Sequence, residues 1–430
     1  MTEDFLYFLW QFQQFDKTDL KTTTNEALQV LAIGRQNHDA GPDFSQSRLL
    51  IGGVEWAGNV EMHIKASDWH LHQHTHNRAY DSVILHVVWQ NDQPIARPDG
   101  SLLPTLELKP LTDSVMFDQF KNLIESPKTI LCQSQFDDVP AIHKLSMLDR
   151  ALMQRLERKA EIVHELLARN NNDWEETAYQ LLANNFGFKI NAEPMLRLAQ
   201  NLPLKILQKH RDNSTQIEAA LFGQSGLLEQ IETNDEYTNT LRREYAFLDS
   251  KYGLKTNQLA AHEWKYMRLR PANFPTVRLA QLAALVQHHP SLFSLFINVQ
   301  SPDSLFRLLK TKQSEYWRGH YQLGKAAAGQ VPVLGQSSIE NIVINTVVPL
   351  LVAYSQHRDN RDMLDKALNL LENLPAEHNN ITDQWQSLGL QVKTAADSQA
   401  TIELYNNFCT HKRCLNCGIG TAIVRQKTKV

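Results

Sequence analysis

"GPDFSQSRLLIGGVEWAGNVEMHIKASDWHLHQH", residues 41–74, decides how the first third of the chain is read. Two β-rich runs, 47–53 and 57–65, flank glycine punctuation, and in "NVEMHIK" polar and apolar residues alternate with the period of a strand. That period puts Val60, Met62 and Ile64 on one face and Asn59, Glu61, His63 and Lys65 on the other. A solvent-facing strand shows the same alternation, so the pattern alone is not a site. What lies upstream adds to it. Asp43 precedes Glu61 by 18 residues, just ahead of the preceding strand, where hairpin connectivity would bring it back beside Glu61. Two carboxylates on adjacent strands make a hard-oxygen site suited to Mg²⁺ or Mn²⁺. His63 or Lys65 would then polarise a phosphate or orient a water.

Outward from this stretch, Phe5, Leu6, Phe8, Leu9, Phe12 and Phe15 recur at helical spacing and predict a first amphipathic helix over 3–15. Further β-rich runs cover 27–34, 82–90 and 103–109, with Gly, Pro, Asn and Asp between them. The expectation is an α+β or α/β N-terminal domain over 1–125, a mixed sheet with flanking helices. From 126 to 407 nearly everything reads as helix, beginning with a stripe of Leu145, Leu148, Leu152, Leu156, Ile162, Val163, Leu166 and Leu167. Asp173 is placed to cap a helix opening at Trp174, and Gly187 to end it. No fixed repeat period is visible, so this part is expected to be an irregular all-α bundle. Residues 408–430 form a cysteine-containing tail.

The order helix, strand, strand, strand, with Pro42-Asp43 ahead of an acid-x-basic strand, resembles the PD-(D/E)XK nuclease core over about residues 1–110. The resemblance implies metal-dependent cleavage of nucleic acid, with Asp43 and Glu61 as ligands. His63 stands where that superfamily usually has lysine, and Lys65 lies two residues further on the same face, so either could fill the basic position.

Histidines offer a different chemistry. Of 17 in the chain, His63, His70, His72, His74, His76 and His86 fall within 24 residues. If "DWHLHQHTH" were extended, its four would point to one side, and with Asp68 or Asp81 they could hold Zn²⁺, Fe²⁺ or Mn²⁺. Four in seven residues exceed the needs of one ion, so a solvated loop is the expectation for His70, His74 and His76. His86, inside the apolar run "VILHVVW", is either a hydrogen-bonded core histidine or part of a site.

All four cysteines are informative. Cys409, Cys414 and Cys417 form C-x4-C-x2-C, and Cys132 is the one remaining. Four thiolates fit tetrahedral Zn²⁺ or a [4Fe-4S] cluster, with His411 as an alternative fourth donor.

Composition is that of an ordinary globular protein: 430 residues, 42% hydrophobic and 21% charged, with a net charge of −4 that argues against a surface coated for nucleic acid. A local basic patch is still compatible with that total, and "WKYMRLRPANFPTVRL" interleaves Lys265, Arg268, Arg270 and Arg278 with aromatic residues, a pattern that can grip phosphates and stack bases but that ordinary amphipathic helices, with exposed Lys and Arg beside buried aromatics, show as well. No run of 18 apolar residues occurs and the N-terminus lacks the basic-then-apolar order of a signal peptide, so no membrane association and a cytoplasmic location are expected. Taken together, "GPDF", "SDWHLH", "YDSVILHVVW", "NTVVPLL" and "KRCLNCGIG" resemble the bacterial domain-of-unknown-function family 2851 over the full length. That resemblance implies the two-part architecture and adds no reaction. Three functions therefore compete: a metal-dependent nuclease, a non-catalytic interaction module for nucleic acid or protein on a degenerate nuclease-like scaffold, and a histidine-site metalloenzyme for a small molecule.

Overall fold

A computed structural model describes residues 2–37, 39–229 and 235–426. An N-terminal mixed sheet with helices is followed by a mostly helical region. The chain divides into two compact units, residues 1–148 together with 404–430, and residues 149–403. The first unit therefore extends past 125 and takes in the tail. The boundary falls inside one long helix, which is why composition did not mark it.

In the first unit, α1 (Glu3–Gln11) buries Phe5, Leu6, Phe8, Leu9 and Trp10 and is shorter than the periodic run that announced it. Strands β1 (Leu28–Ala32), β2 (Arg35–Gln36), β3 (Phe44–Ile51), β4 (Val54–Lys65), β5 (Val83–Gln90) and β6 (Thr105–Glu107) form one sheet in the order β1-β3-β4-β5-β6, with β2 paired to β3. β1, β3 and β4 are antiparallel; β5 and β6 run parallel to β4. Parallel pairing needs a crossover. Helix α2 (Asp68–Leu71) and two 3₁₀ turns, His74–His76 and Arg78–Tyr80, supply it. The "DWHLHQHTH" histidines are thus on short helical turns, not on the extended strand that would have aligned them.

Gly52 and Gly53 join β3 to β4, both with positive φ (58° and 85°), and Ile51 pairs directly with Val54. A two-residue turn of this kind matches strand twist and sets the register. A second glycine constraint lies inside β4: a Cβ on Gly58 would stand 2.5 Å from Ile84 Cγ2 and 2.6 Å from the Ser82 carbonyl oxygen. Gly58 therefore allows β5 to lie close against β4. Gly58→Ala is expected to cost about 1–3 kcal/mol through this overpacking, read from chemical denaturation; an unchanged midpoint would show that the entry to β5 yields freely.

Further helices of the first unit are α3 (Ser114–Ile124) and the start of α4 (Ala141–Arg169). The second unit packs its helices around one apolar core. Asp173 accepts the Glu175 and Glu176 N–H groups at the head of helix Trp174–Phe186, and Gly187 occupies its C-cap. The unit is not wholly helical: β7 (His320–Gln322) and β8 (Lys325–Ala326) form a small hairpin whose turn uses Gly324 at φ 68°. Gln336–Arg358 is a helical run long and apolar enough to cross a membrane, but 67% of its apolar window is buried among other residues, as in a core helix.

Candidate metal centre

Strand pairing builds the centre. Glu61 lies opposite His86 in the parallel β4–β5 pair, with His63 two residues further along β4, so all three stand on one face. All are buried. β3 brings Asp43 to the same place from the other side: its main-chain N–H donates to Glu61 Oε2 (3.2 Å), and its Oδ2 accepts the Met62 N–H (2.8 Å). Tyr7 of α1 donates its hydroxyl to Asp43 Oδ1 (3.0 Å).

The connection between β4 and β5 supplies two more imidazoles. His63 Nε2 lies 3.1 Å from His72 Nδ1 and 3.6 Å from Glu61 Oε1, and His74 Nε2 lies 3.2 Å from Glu61 Oε1. One donor atom from each of His63, His72 and His74 fits within 4.8 Å of the others. Tetrahedral metal–nitrogen and metal–oxygen bonds of 2.0–2.1 Å put neighbouring ligand atoms about 3.4 Å apart. The three measured separations bracket that value. His63 Nδ1 is 2.8 Å from His86 Nε2, the outer contact that orients a ligating imidazole, and His74 stacks on Tyr80 with ring centroids 3.7 Å apart.

Electrostatics point the same way. Burial, then the charge of Asp43, pushes Glu61 up to about 9. Burial raises Asp43 against the pull of its hydrogen bonds, and Glu3 of α1 is raised by burial and by Asp43. Three carboxyl groups thus stand near one another, Glu61 buried and Asp43 and Glu3 partly so, where a cation would relieve their mutual repulsion. Burial holds His63 far below its ordinary range, His74 down at about 4 and His86 at about 3. Neutral imidazole is the form that binds metal. His74 Nδ1 and His86 Nδ1 are buried without a hydrogen bond, and such orphaned nitrogens ask for a partner.

Of the sequence candidates, Asp43, Glu61 and His63 come together. Lys65 is exposed, and its charge acts on Asp92; Asn59 donates to Ser82 Oγ. Both sit at the ends of the polar face, beyond the centre. Asp68 accepts the Lys65 N–H and Asp81 is exposed, so Glu61 is the carboxylate beside the imidazoles. His74, expected in a solvated loop, is 8% exposed, because the 3₁₀ turn folds it under Tyr80. His70 and His76 remain at the surface. Glu3, Tyr7 and Tyr80 had no signal in the sequence, since nothing local distinguishes them from other helix and loop residues. With histidines in the same donor set as the carboxylates, the hard-ion expectation shifts from Mg²⁺ toward metals that accept imidazole, such as Mn²⁺, Fe²⁺ or Zn²⁺.

A cavity of about 280 Å³ adjoins the centre, lined by Trp69, His74, Tyr80, Arg97 and Asp99 among others. On another side, the exposed His72 opens onto a wider depression with His70, His76 and Arg78.

The basic run of the second unit does not act as one patch. Arg278 is 5% exposed; it donates to Gln281 Oε1, Asn273 Oδ1 and Ser338 Oγ and lies over the Phe188 ring. It is therefore a core residue, held through both Nη atoms while its buried Nε has no partner, and its burial keeps it out of reach of phosphate. Lys265, Arg268 and Arg270 are exposed, but Trp264 is buried with its indole N–H on the Ser225 carbonyl. In the tail, Lys427 and Lys429 lie outside the described residues.

Fold and site together define a two-part chain with a histidine–carboxylate metal centre as its candidate site. The chain belongs to the protein family of unknown function DUF2851, whose model matches residues 3–380. No curated protein and no solved structure matches it.

Proposed function

We propose that the first unit is a divalent-metal-dependent phosphodiesterase acting on nucleic acid, its metal held by Glu61, His63, His72 and His74 beside Asp43. The observation that carries this reading is the convergence of carboxylates from two adjacent strands with three imidazoles, at the separations of one coordination shell. Strand order supports it as well. The PD-(D/E)XK resemblance rests on a helix followed by strands with Pro-Asp ahead of an acid-x-basic strand, and here α1 precedes the antiparallel β1, β3 and β4, with Asp43 immediately ahead of β3 and Glu61 in β4. Imidazole replaces lysine in that pattern, which suits a softer metal.

A metal in this set supplies Lewis acidity and a bound water of lowered pKa. The chain's own groups do the rest. Tyr7 and the Met62 N–H fix the Asp43 carboxylate, His86 orients His63, and the exposed His72 marks the side from which a polymer can approach. With Mn²⁺, Zn²⁺ or Mg²⁺ supplied in turn, purified protein is expected to cut single-stranded or forked DNA, or RNA. Asp43→Asn and Glu61→Gln should each lower the rate by about 100-fold or more at unchanged stability. Substrate binding should weaken as salt rises if phosphates are contacted. Binding without cutting would replace this reading with the interaction module; failure to retain any divalent metal in equilibrium dialysis would remove the centre itself.

A second reading draws on the cavity beside His74. Its aromatic walls and the Arg97–Asp99 pair suit a small organic phosphate better than a polymer. Hydrolysis of small phosphodiesters with no action on DNA or RNA would favour it.

A further inference from the structure

The chain contains four cysteines, and they come from two places nearly 280 residues apart: Cys132, and Cys409, Cys414 and Cys417. All belong to the first unit, because the tail folds back onto it. Gln119 Nε2 donates to the Gln426 carbonyl (2.9 Å), Gln426 Nε2 to the Asp138 carbonyl (3.1 Å), and the Gly418 N–H to Met147 Sδ (3.2 Å). None is disulfide-bonded; Cys132, Cys414 and Cys417 are each 8% exposed and Cys409 is partly buried. Every pairing among the four is close enough for one thiol's charge to act on another. A turn sequence presents the last three: Cys409 ends a π-helical turn, Cys414 opens a 3₁₀ turn, and Cys417 is the N-cap of helix Gly418–Val424.

Spacing separates the two metal centres that four thiolates usually build. A single tetrahedral Zn²⁺ with bonds of 2.3 Å requires sulfurs about 3.8 Å apart. Among the described residues, the group of three or more ligands that closes within 4.8 Å is the histidine trio, and no three of the cysteines meet that limit. The thiols therefore stand wider apart than the spacing that one zinc sets. In a [4Fe-4S] cluster each thiolate binds its own iron at a corner of the cube, so the sulfurs stand further apart. Four thiolates leave such a centre anionic, and cations flank it. Lys144 acts on Cys132 and Lys412 on Cys414, with Lys412 Nζ anchored on the Ile124 carbonyl (3.2 Å). His411, the alternative donor, is exposed.

We infer that Cys132, Cys409, Cys414 and Cys417 bind one [4Fe-4S] cluster, which fastens the C-terminal segment to the first unit. This site is separate from the histidine–carboxylate centre and does not depend on its activity.

The test is full-length protein purified without oxygen, or reconstituted with ferrous iron and sulfide. About four irons and four sulfides per chain are expected, with broad visible absorption that bleaches on reduction. Cys132→Ser should lose the four-iron, four-sulfide stoichiometry, while His76→Ala, at an exposed position outside both centres, should keep it. If Cys132→Ser fails to fold, the unaltered protein still decides: removing iron should make all four thiols reactive and the segment after 404 sensitive to protease. One zinc per chain in place of iron, full iron and sulfide retained by Cys132→Ser, or four thiols freely reactive in freshly purified anaerobic protein would each overturn the inference.

Discussion

His63→Ala is expected to lower affinity for Mn²⁺ or Zn²⁺ by about 100-fold or more and to abolish metal-dependent activity, because His63 stands between Glu61, His72 and His86. Its Nε2 lies beside both His72 Nδ1 and Glu61 Oε1, and its Nδ1 meets His86 Nε2. Loss of a mere orienting partner commonly costs 10–100-fold in metal affinity, so loss of a direct ligand should cost more. The substitution also leaves a void and strips His86 Nε2 of its partner, a stability loss of about 1–3 kcal/mol in metal-free protein. Calorimetric titration with metal separates the two effects. A cluster that is only structural predicts the stability loss with metal affinity unchanged, and that result would defeat the centre. His76→Ala, at an exposed position outside the donor set, should leave both quantities where they are.

Glu403→Ala should produce the largest stability loss in the second unit, about 3–5 kcal/mol, the range for breaking a buried ion pair on one side. Glu403 is 3% exposed and lies 2.6 Å from Arg158 Nη2 and 3.3 Å from Arg155 Nη1. Arg155, whose side chain is 13% exposed, would keep Gln399 and the charge of Glu377 but lose its hydrogen-bonded carboxylate partner. Arg158 is about half exposed and adds little. Acid should act through the same group. Burial alone would raise Glu403, but the hydrogen bond and charge of Arg158, then those of Arg155, outweigh it and hold the carboxyl below 4.5. A lowered folded value means that this stability is complete above the ordinary 4.5 and drains away as pH falls through the folded value. Glu403→Gln should therefore flatten the decline of stability below pH 4.5, seen in urea midpoints across that range. An identical slope in both proteins would show that other groups govern acid unfolding.

Much of this architecture is written locally. Alternation in "NVEMHIK" put Glu61 and His63 on one face because strand side chains have a period of two, and no packing can change that parity without shifting the register. Gly52-Gly53 marks the hairpin through backbone freedom, and Asp173 marks a helix start through its side-chain oxygen, both effects of immediate neighbours. The cysteine pattern at 409–417 is local in the same sense.

Tertiary structure decided what periodicity does not encode. Asn59 and Lys65 share the face of Glu61 yet end outside the centre, because only its middle is covered by the β4–β5 connection. His74 and His76 are two residues apart in one 3₁₀ turn; stacking against Tyr80 buries the first, while the second stays in water. Arg278 and Arg270 look alike in a basic run, but the first lies in the opening turn of a helix whose surroundings enclose it. Cys132 meets the three distant cysteines only because the chain end returns to the first unit. Sequence by itself determined the elements and the faces of the strands, since these follow from bonds and side chains a few residues apart. Which of those faces converge, and which charged groups lose their water, depends on contacts between segments tens to hundreds of residues apart, and only the folded chain settles them.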